Sequence, residues 1–256
     1  MLLTVDVGNT NITCAVFEKK EIKTSFRLTT KQPRTSDEFG MLMNTLMLSN
    51  GLEPSLIDGI IVASVVPNIM HSLNNAMVKY FGIEPVIVEA GIRTGLKLNM
   101  ENPRQVGADK IVDAVAAYEM YGGPVIVVDF GTATTFDFVA ENGEFSSGVI
   151  APGILASANA LWEQTAQLPE VQIKRPKSIL GKDTVSCMQA GLFFGQVGQI
   201  EYIIKMIKKE CGLKECRVVA TGGLGNIFKE ETEMIDVYDP ALTMHGLRIV
   251  YEKQKR

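Results

Sequence analysis

Val125-Ile-Val-Val-Asp129-Phe-Gly131 repeats the pattern of Leu3-Thr-Val-Asp6-Val-Gly8 at an offset of 123 residues, and that repetition decides the fold. Each copy is a short apolar run closed by an aspartate and a glycine, which reads as a buried strand entering a tight turn. After the first copy, Ile12 to Phe17 and Ile22 to Leu28 carry two more strands, separated by the turn at Lys19-Lys20. After the second copy, Thr135 to Val139 and Phe145 to Ile150 do the same around Glu141-Asn142-Gly143. Further on, Arg217-Val-Val-Ala-Thr221 repeats Ile60-Ile-Val-Ala-Ser64, each ending in a small hydroxyl residue. A period this long is no solenoid; it is a duplicated domain.

Between the strands lie helical patterns. One begins near Ser36, with Asp37 and Glu38 in its first turn and Phe39, Leu42, Met43 and Leu46 at helical spacing. Others cover His71 to Tyr80 and Ala108 to Tyr121, the latter stopped by Gly122-Gly123-Pro124. Each half is thus expected to be α/β, three antiparallel strands followed by helices alternating with strands: a mixed five-stranded sheet flanked by helices. The halves divide as residues 1–117 and 118–256 and are expected to face each other across a cleft, a favoured place for ligands. The aperiodic segments 89–106 and 165–182 read as functional loops.

Composition narrows the classes. With 46% hydrophobic and 21% charged residues the chain has material for true cores, which excludes disorder. A formal charge of −4 without a basic stripe gives no electrostatic reason to expect nucleic acid or an anionic membrane as partner. The start MLLTVDVGNT meets Asp6 too soon for a signal segment, and no apolar run approaches the ~18 residues of a membrane span. Cys14, Cys187, Cys211 and Cys216 are scattered and read as reduced thiols. The expected location is cytoplasmic.

The turns carry the chemistry. In Asp6-Val-Gly-Asn-Thr10 a glycine-led hairpin lets backbone N–H groups approach a phosphate, and Asn9, Thr10 and Thr13 add donors. Asp6 closes a buried strand and suits Mg²⁺ held through water. Alone, this motif fits a plain hairpin equally well. Its recurrence as Asp129-Phe-Gly-Thr-Ala-Thr134, with hydroxyls at Thr132, Thr134 and Thr135, favours the phosphate cradle. Thr221-Gly-Gly-Leu-Gly225 follows a strand and admits a ring or ribose close to the backbone. No dinucleotide fingerprint G-x-G-x-x-G and no G-x-x-x-x-G-K-[ST] loop occurs, which disfavours the two commoner nucleotide folds.

In order, D-x-G-N-T, G-A-D-K at 107–110, D-x-G-T-A, G-K-D-T at 181–184 and T-G-G resemble the type III pantothenate kinases, nearly from end to end. Val62-Ala-Ser-Val-Val-Pro67 and Asn102-Pro103 are similar too. The resemblance implies duplicated ribonuclease H-like domains of the actin-like ATPase kind and ATP-dependent phosphorylation of pantothenate, the first step of coenzyme A biosynthesis. It implies that Asp6 to Thr13 (Asp6, Gly8, Asn9, Thr10, Asn11 and Thr13) bind ATP phosphates together with Thr132, and that Gly222 and Gly223 lie against the adenosine. Asp109 would accept the proton of the pantothenate hydroxyl, and Gly107, Ala108, Lys110 and Thr184 would contact that substrate. Asp129 would hold a monovalent cation, K⁺ or NH₄⁺, and the protein would be a homodimer. Two positions depart from the family pattern: Lys110 stands where arginine is usual, losing the bidentate fork, and Met100 where many members have tyrosine.

Other residues invite plainer readings. Asp113, a turn beyond Asp109, fits an ion pair with Lys110 or a neighbour; Asp183 fits a helix N-cap. Arg104 and Lys182 fit either the pantothenate carboxylate or solvent. Met41 to Met47 reads as core, and Trp162 as core or dimer packing. Two functional alternatives stay open: a related regulatory protein without kinase activity, against which Asp6, Asp109 and Asp129 all stand, and a kinase for another small alcohol.

Overall fold

The computed structural model describes residues 1–255. Its chain forms two compact units, the first comprising Met1–Ala116 and the stretch from Ala241 onward, the second Ala117–Pro240. Unit 1 opens with β1 (Leu2–Val7), β2 (Asn11–Glu18) and β3 (Glu21–Thr29), then α1 (Ser36–Ser49), β4 (Gly59–Ser64) and α2 (Met70–Phe81). The short strands β5 (Val86–Ile87) and β6 (Lys97–Leu98) precede α3 (Ala108–Tyr121), within which the chain passes into unit 2. Unit 2 contains β7 (Val125–Phe130), β8 (Ala133–Val139), β9 (Glu144–Pro152), α4 (Ile154–Glu163), α5 (Thr184–Glu210), β10 (Arg217–Thr221) and β11 (Val237–Tyr238). The last helix, α6 (Leu242–Gln254), returns to unit 1.

The internal repeat is structural. Unit 1 has the strand order β3-β2-β1-β4-β5, and the strands of unit 2 run β9-β8-β7-β10-β11, the same order position for position. β1 pairs antiparallel with β2 and parallel with β4; β7 pairs antiparallel with β8 and parallel with β10. The paired registers put Asp6 opposite Thr13 and Ala63, and Asp129 opposite Thr135 and Thr221. This is the mixed α/β architecture of a duplicated ribonuclease H-like domain.

Unit 1 explains why β1 reads as a continuous apolar run rather than an alternation: both faces of its sheet are covered. On one face Leu3, Val5, Val7, Ile12 and Val16 pack with Phe39, Met43 and Met47 of α1 and Leu73 and Met77 of α2. On the other, Leu2, Phe17 and Ile61 pack with Val112 and Val115 of α3 and Met244, Leu247 and Val250 of α6. Buried Thr4 donates its hydroxyl to Ala15 O at 3.1 Å, satisfying the polar group that interrupts the run. In unit 2 the sheet residues Ile126, Val128, Phe130, Phe136 and Phe138 pack with Ile154, Phe193, Ile200 and Phe228.

Three sequence readings change. The division 118–256 takes the C-terminal stretch with the second half, whereas α6 belongs to unit 1, where its apolar residues complete the second core layer. Of the Met41–Met47 stretch Met43 and Met47 are buried in the core and Leu46 packs against it; Met41 is 61% exposed, because α1 is covered on one side only. Of the two readings of Trp162, core or dimer packing, its 44% exposure sets aside the first. The helix starts are as read. Thr35 and Glu38 form a capping box at α1, and Asp183 caps α5 by accepting from Ser186 N at 3.0 Å.

The docking of α6 depends on Gly246, where a Cβ would lie 2.0 Å from Val112 O. Helix propensity alone favours Gly246→Ala by about 1 kcal/mol. The contact with the α3 backbone reverses the sign, and we expect a net loss of about 1–3 kcal/mol, read as a lower urea midpoint at unchanged slope.

Candidate active site

In unit 1 the β1–β2 turn is held from behind. Gly8 N donates to Asn11 O at 3.0 Å and closes the hairpin. Thr30, just beyond β3, gives its hydroxyl to Gly8 O at 2.7 Å and its N–H to Thr10 O at 3.0 Å. Two carbonyls of the turn are thereby engaged, an arrangement suited to an anion, which seeks donors and is repelled by acceptors. Asn9, Thr10 and Asn11 form the exposed rim, and Asp6 and Thr13 are half-buried cross-strand neighbours beneath it.

The start of α3 lies beside the end of β4. A Cβ on Gly107 would come within 3.5 Å of Val65, one residue past β4, and within 2.3 Å of Asp109 Oδ1. The Asp109 carboxylate therefore occupies space that any other residue at 107 would fill. Its Oδ1 accepts from Lys110 N at 2.8 Å, and the first turn of a helix is a favourable place for negative charge. Ala108 is buried, while Asp109 and Lys110 are half-exposed. Asp113 is only 4% exposed and sits in the interior. Arg104 is exposed in the preceding loop.

Unit 2 repeats the device. The Asp129 carboxylate, at the end of β7, sits between two glycines: a Cβ on Gly131 would be 3.2 Å from its Oδ2, and one on Gly222 would be 2.4 Å from its Oδ1. Gly222 also has φ +92°, a conformation glycine adopts without penalty, and its Cβ would meet Phe130 N at 2.6 Å. The turn Gly131-Thr132 is backed by Gly153, whose Cβ would lie 2.3 Å from Thr132 O. Asp129, Thr132 and the Gly222-Gly223 turn are thus gathered at one end of the β7–β10 pair. That end, the carboxyl end of parallel strands, is where α/β sheets bind ligands.

Of the three hydroxyls read from sequence, Thr132 is the exposed one. Thr134 is 1% exposed and accepts from Gln196 Nε2 at 3.3 Å, which turns it toward α5. Thr135 gives its proton to Asp137 Oδ2 at 3.2 Å. Thr184 is the exposed first residue of α5, and the contacts that gather Asp129, Thr132 and Gly222 do not include it. Lys182 is exposed as well.

Sequence reading passes over Thr30 and Asp137. Nothing in the pattern around Thr30 marks it, since its role depends on β3 folding back to the turn. Asp137 leaves a signal: a carboxylate between Phe136 and Phe138 in a buried strand, 3% exposed, in a position charged residues rarely occupy. Gly148 across the pair makes room for it, as a Cβ there would lie 2.5 Å from Asp137 Oδ1.

Unit 2 also exposes apolar surface. Ile179, Leu180, Cys187, Ala190 and Gly191 line a cleft of about 550 Å³. Leu180 is 79% and Tyr202 65% exposed, and nothing stands within 4 Å of where Cβ atoms would be on Gly191, Gly195 and Gly198 of α5. Among the described residues no helix is long and apolar enough to cross a membrane.

Against known proteins, residues 2–206 match the family model for type III pantothenate kinase. A protein of that name from Agathobacter rectalis is 61% identical over 256 residues, covering 100% of this chain and 98% of its own. One from Listeria monocytogenes is 51% identical, again over 100% of this chain and 98% of its own. Among solved structures, a Baf family transcriptional activator from Campylobacter jejuni superposes with TM-score 0.63 at 20% identity, covering 99% of this chain and 98% of that one. A 2-dehydro-3-deoxygalactonokinase protein from Sinorhizobium meliloti gives 0.59 at 10% identity, covering 99% and 96%. At such identities the two superpositions speak for the fold alone. The identity along the full chain says more: this protein belongs to the type III pantothenate kinase family.

Proposed function

We propose that this protein transfers the γ-phosphoryl group of ATP to the primary hydroxyl of pantothenate, giving 4′-phosphopantothenate for coenzyme A biosynthesis. The observation that carries the reading is the Asp109 carboxylate seated over Gly107 at the start of α3, within a chain 61% identical to a type III pantothenate kinase.

Phosphoryl transfer asks the protein for positioning and charge neutralisation more than for covalent help. Asp109 accepts a hydrogen bond from the pantothenate hydroxyl and takes its proton as the new P–O bond forms. Gly107, Ala108, Lys110 and Thr184 hold that substrate, Lys110 supplying a point charge rather than a fork. Asp6, Gly8, Asn9, Thr10, Asn11 and Thr13 bind the ATP phosphates with Thr132, and Gly222-Gly223 takes the adenosine. Among the described residues no three His, Cys, Asp or Glu side chains cluster as a metal cage. Single carboxylates fit ions that bring their other ligands: Asp6 suits hydrated Mg²⁺, and Asp129 suits K⁺ or NH₄⁺. When bound, such cations neutralise charge on the phosphates. The exposed apolar surface of α4 and α5, with Leu155, Trp162 and Tyr202, supports a homodimer. Four free thiols, among them Cys14 pushed up by burial, suit the cytoplasm.

ADP release should require pantothenate and a monovalent cation when measured against a panel of small alcohols, with K⁺, NH₄⁺ or Na⁺ as the added salt. Turnover on a different alcohol with none on pantothenate would reassign the acceptor. Asp109→Asn should keep the wild-type melting temperature and lower kcat by about 10²–10⁴-fold. Wild-type turnover in that variant would remove Asp109 from its role.

A further inference from the structure

We propose that Tyr238 is a positioning residue for the nucleotide, acting through the Gly222–Gly223 peptide; the assignment rests on the reading that this turn takes the adenosine. Tyr238 Oη donates to Gly222 O at 3.0 Å. The only cis peptide among the described residues is Gly123–Pro124, so the Gly222–Gly223 bond is trans. In a trans peptide the carbonyl and the following N–H point in opposite directions. Holding the Gly222 carbonyl on the Tyr238 side therefore turns the Gly223 N–H the other way, toward the exposed side of the turn. There Gly223 is exposed, with nothing within 4 Å of where its Cβ would be.

The brace is built into the sheet. β11 pairs in parallel with β10, placing Tyr238 opposite Ala220, and Asp239 N donates to Ala220 O at 2.8 Å. The ring then lies against Gly225, whose Cβ would be 2.4 Å from Tyr238 Cε2. The Gly222 carbonyl is thus held by two donors, the Tyr238 hydroxyl and Gly225 N at 3.2 Å, and the Asp129 carboxylate stands close by, its Oδ1 2.4 Å from where a Cβ on Gly222 would be. Two consecutive glycines need such a clasp: with no Cβ at either, the peptide between them rotates at little steric cost.

Tyr238→Phe removes one oxygen and leaves the ring against Gly225. Calorimetric titration of the whole protein with ATP, and separately with inorganic tripolyphosphate, reads the effect before any acceptor is added. ATP affinity should fall about two- to tenfold, the worth of one hydrogen bond, and tripolyphosphate affinity should not change. In turnover, KM for ATP should rise by the same factor while kcat and KM for pantothenate stay at wild-type values. Equal loss of both ligands, or a fall in kcat along with both KM changes, would make the tyrosine a general structural support and overturn the assignment. Unchanged ATP affinity would also overturn it. A wild-type protein that binds no ATP would overturn instead the nucleotide reading beneath it.

Discussion

A carboxylate at the end of a strand or the start of a helix needs room, and here that room comes from glycines that lack a Cβ. Asp109 occupies the space over Gly107, and Asp129 the space between Gly131 and Gly222. The consequences of filling these places differ. At Gly107 an added methyl meets the far end of a side chain, which can rotate away, so the fold is expected to survive while the carboxylate moves. At Gly222 it meets the backbone of Phe130 as well, and the φ of +92° is strained for any other residue, so the turn itself would give way. The chemistry is therefore set by which atoms are missing as much as by which are present.

Those glycines matter because the sheets fix everything around them. In unit 1 the central strand is covered on both faces by helices, so Asp6 can appear only where the apolar run stops. In unit 2 the register of β7 with β8 and β10 makes Asp129 the neighbour of Thr135 and Thr221. A turn at such a strand end inherits the rigidity of the core behind it, so the phosphate contacts proposed for it would come at little entropic cost. Thr30 serves the same end in unit 1, taking up the carbonyls of Gly8 and Thr10.

Much of this was legible in the amino-acid order. The apolar runs ending in Asp-x-Gly are visible because burial on both faces forces Val and Ile into them, and the offset of the two copies exposes the duplication. Capping residues such as Asp183 are readable because their partners lie three residues away. What escapes is whatever depends on distant pairing. Thr30 reaches the first turn across a hairpin, Tyr238 reaches Gly222 only through the β10–β11 pairing, and α6 joins unit 1 from the far end of the chain. Met41 is exposed although its spacing is that of a core residue, because helical spacing does not say how much of a helix its neighbours cover. The direction of Thr134, away from the turn and toward Gln196, follows from strand alternation that the turn motif had obscured.

The catalytic placement proposed for the Asp109 carboxylate depends on the empty Cβ position at residue 107. The most direct test is the single-turnover rate of phosphoryl transfer from saturating ATP to pantothenate in the Gly107→Ala protein. The expected outcome is a folded enzyme with wild-type ATP affinity whose transfer rate drops toward that of an enzyme lacking its base, about 10²-fold or more. Transfer at the wild-type rate would contradict it.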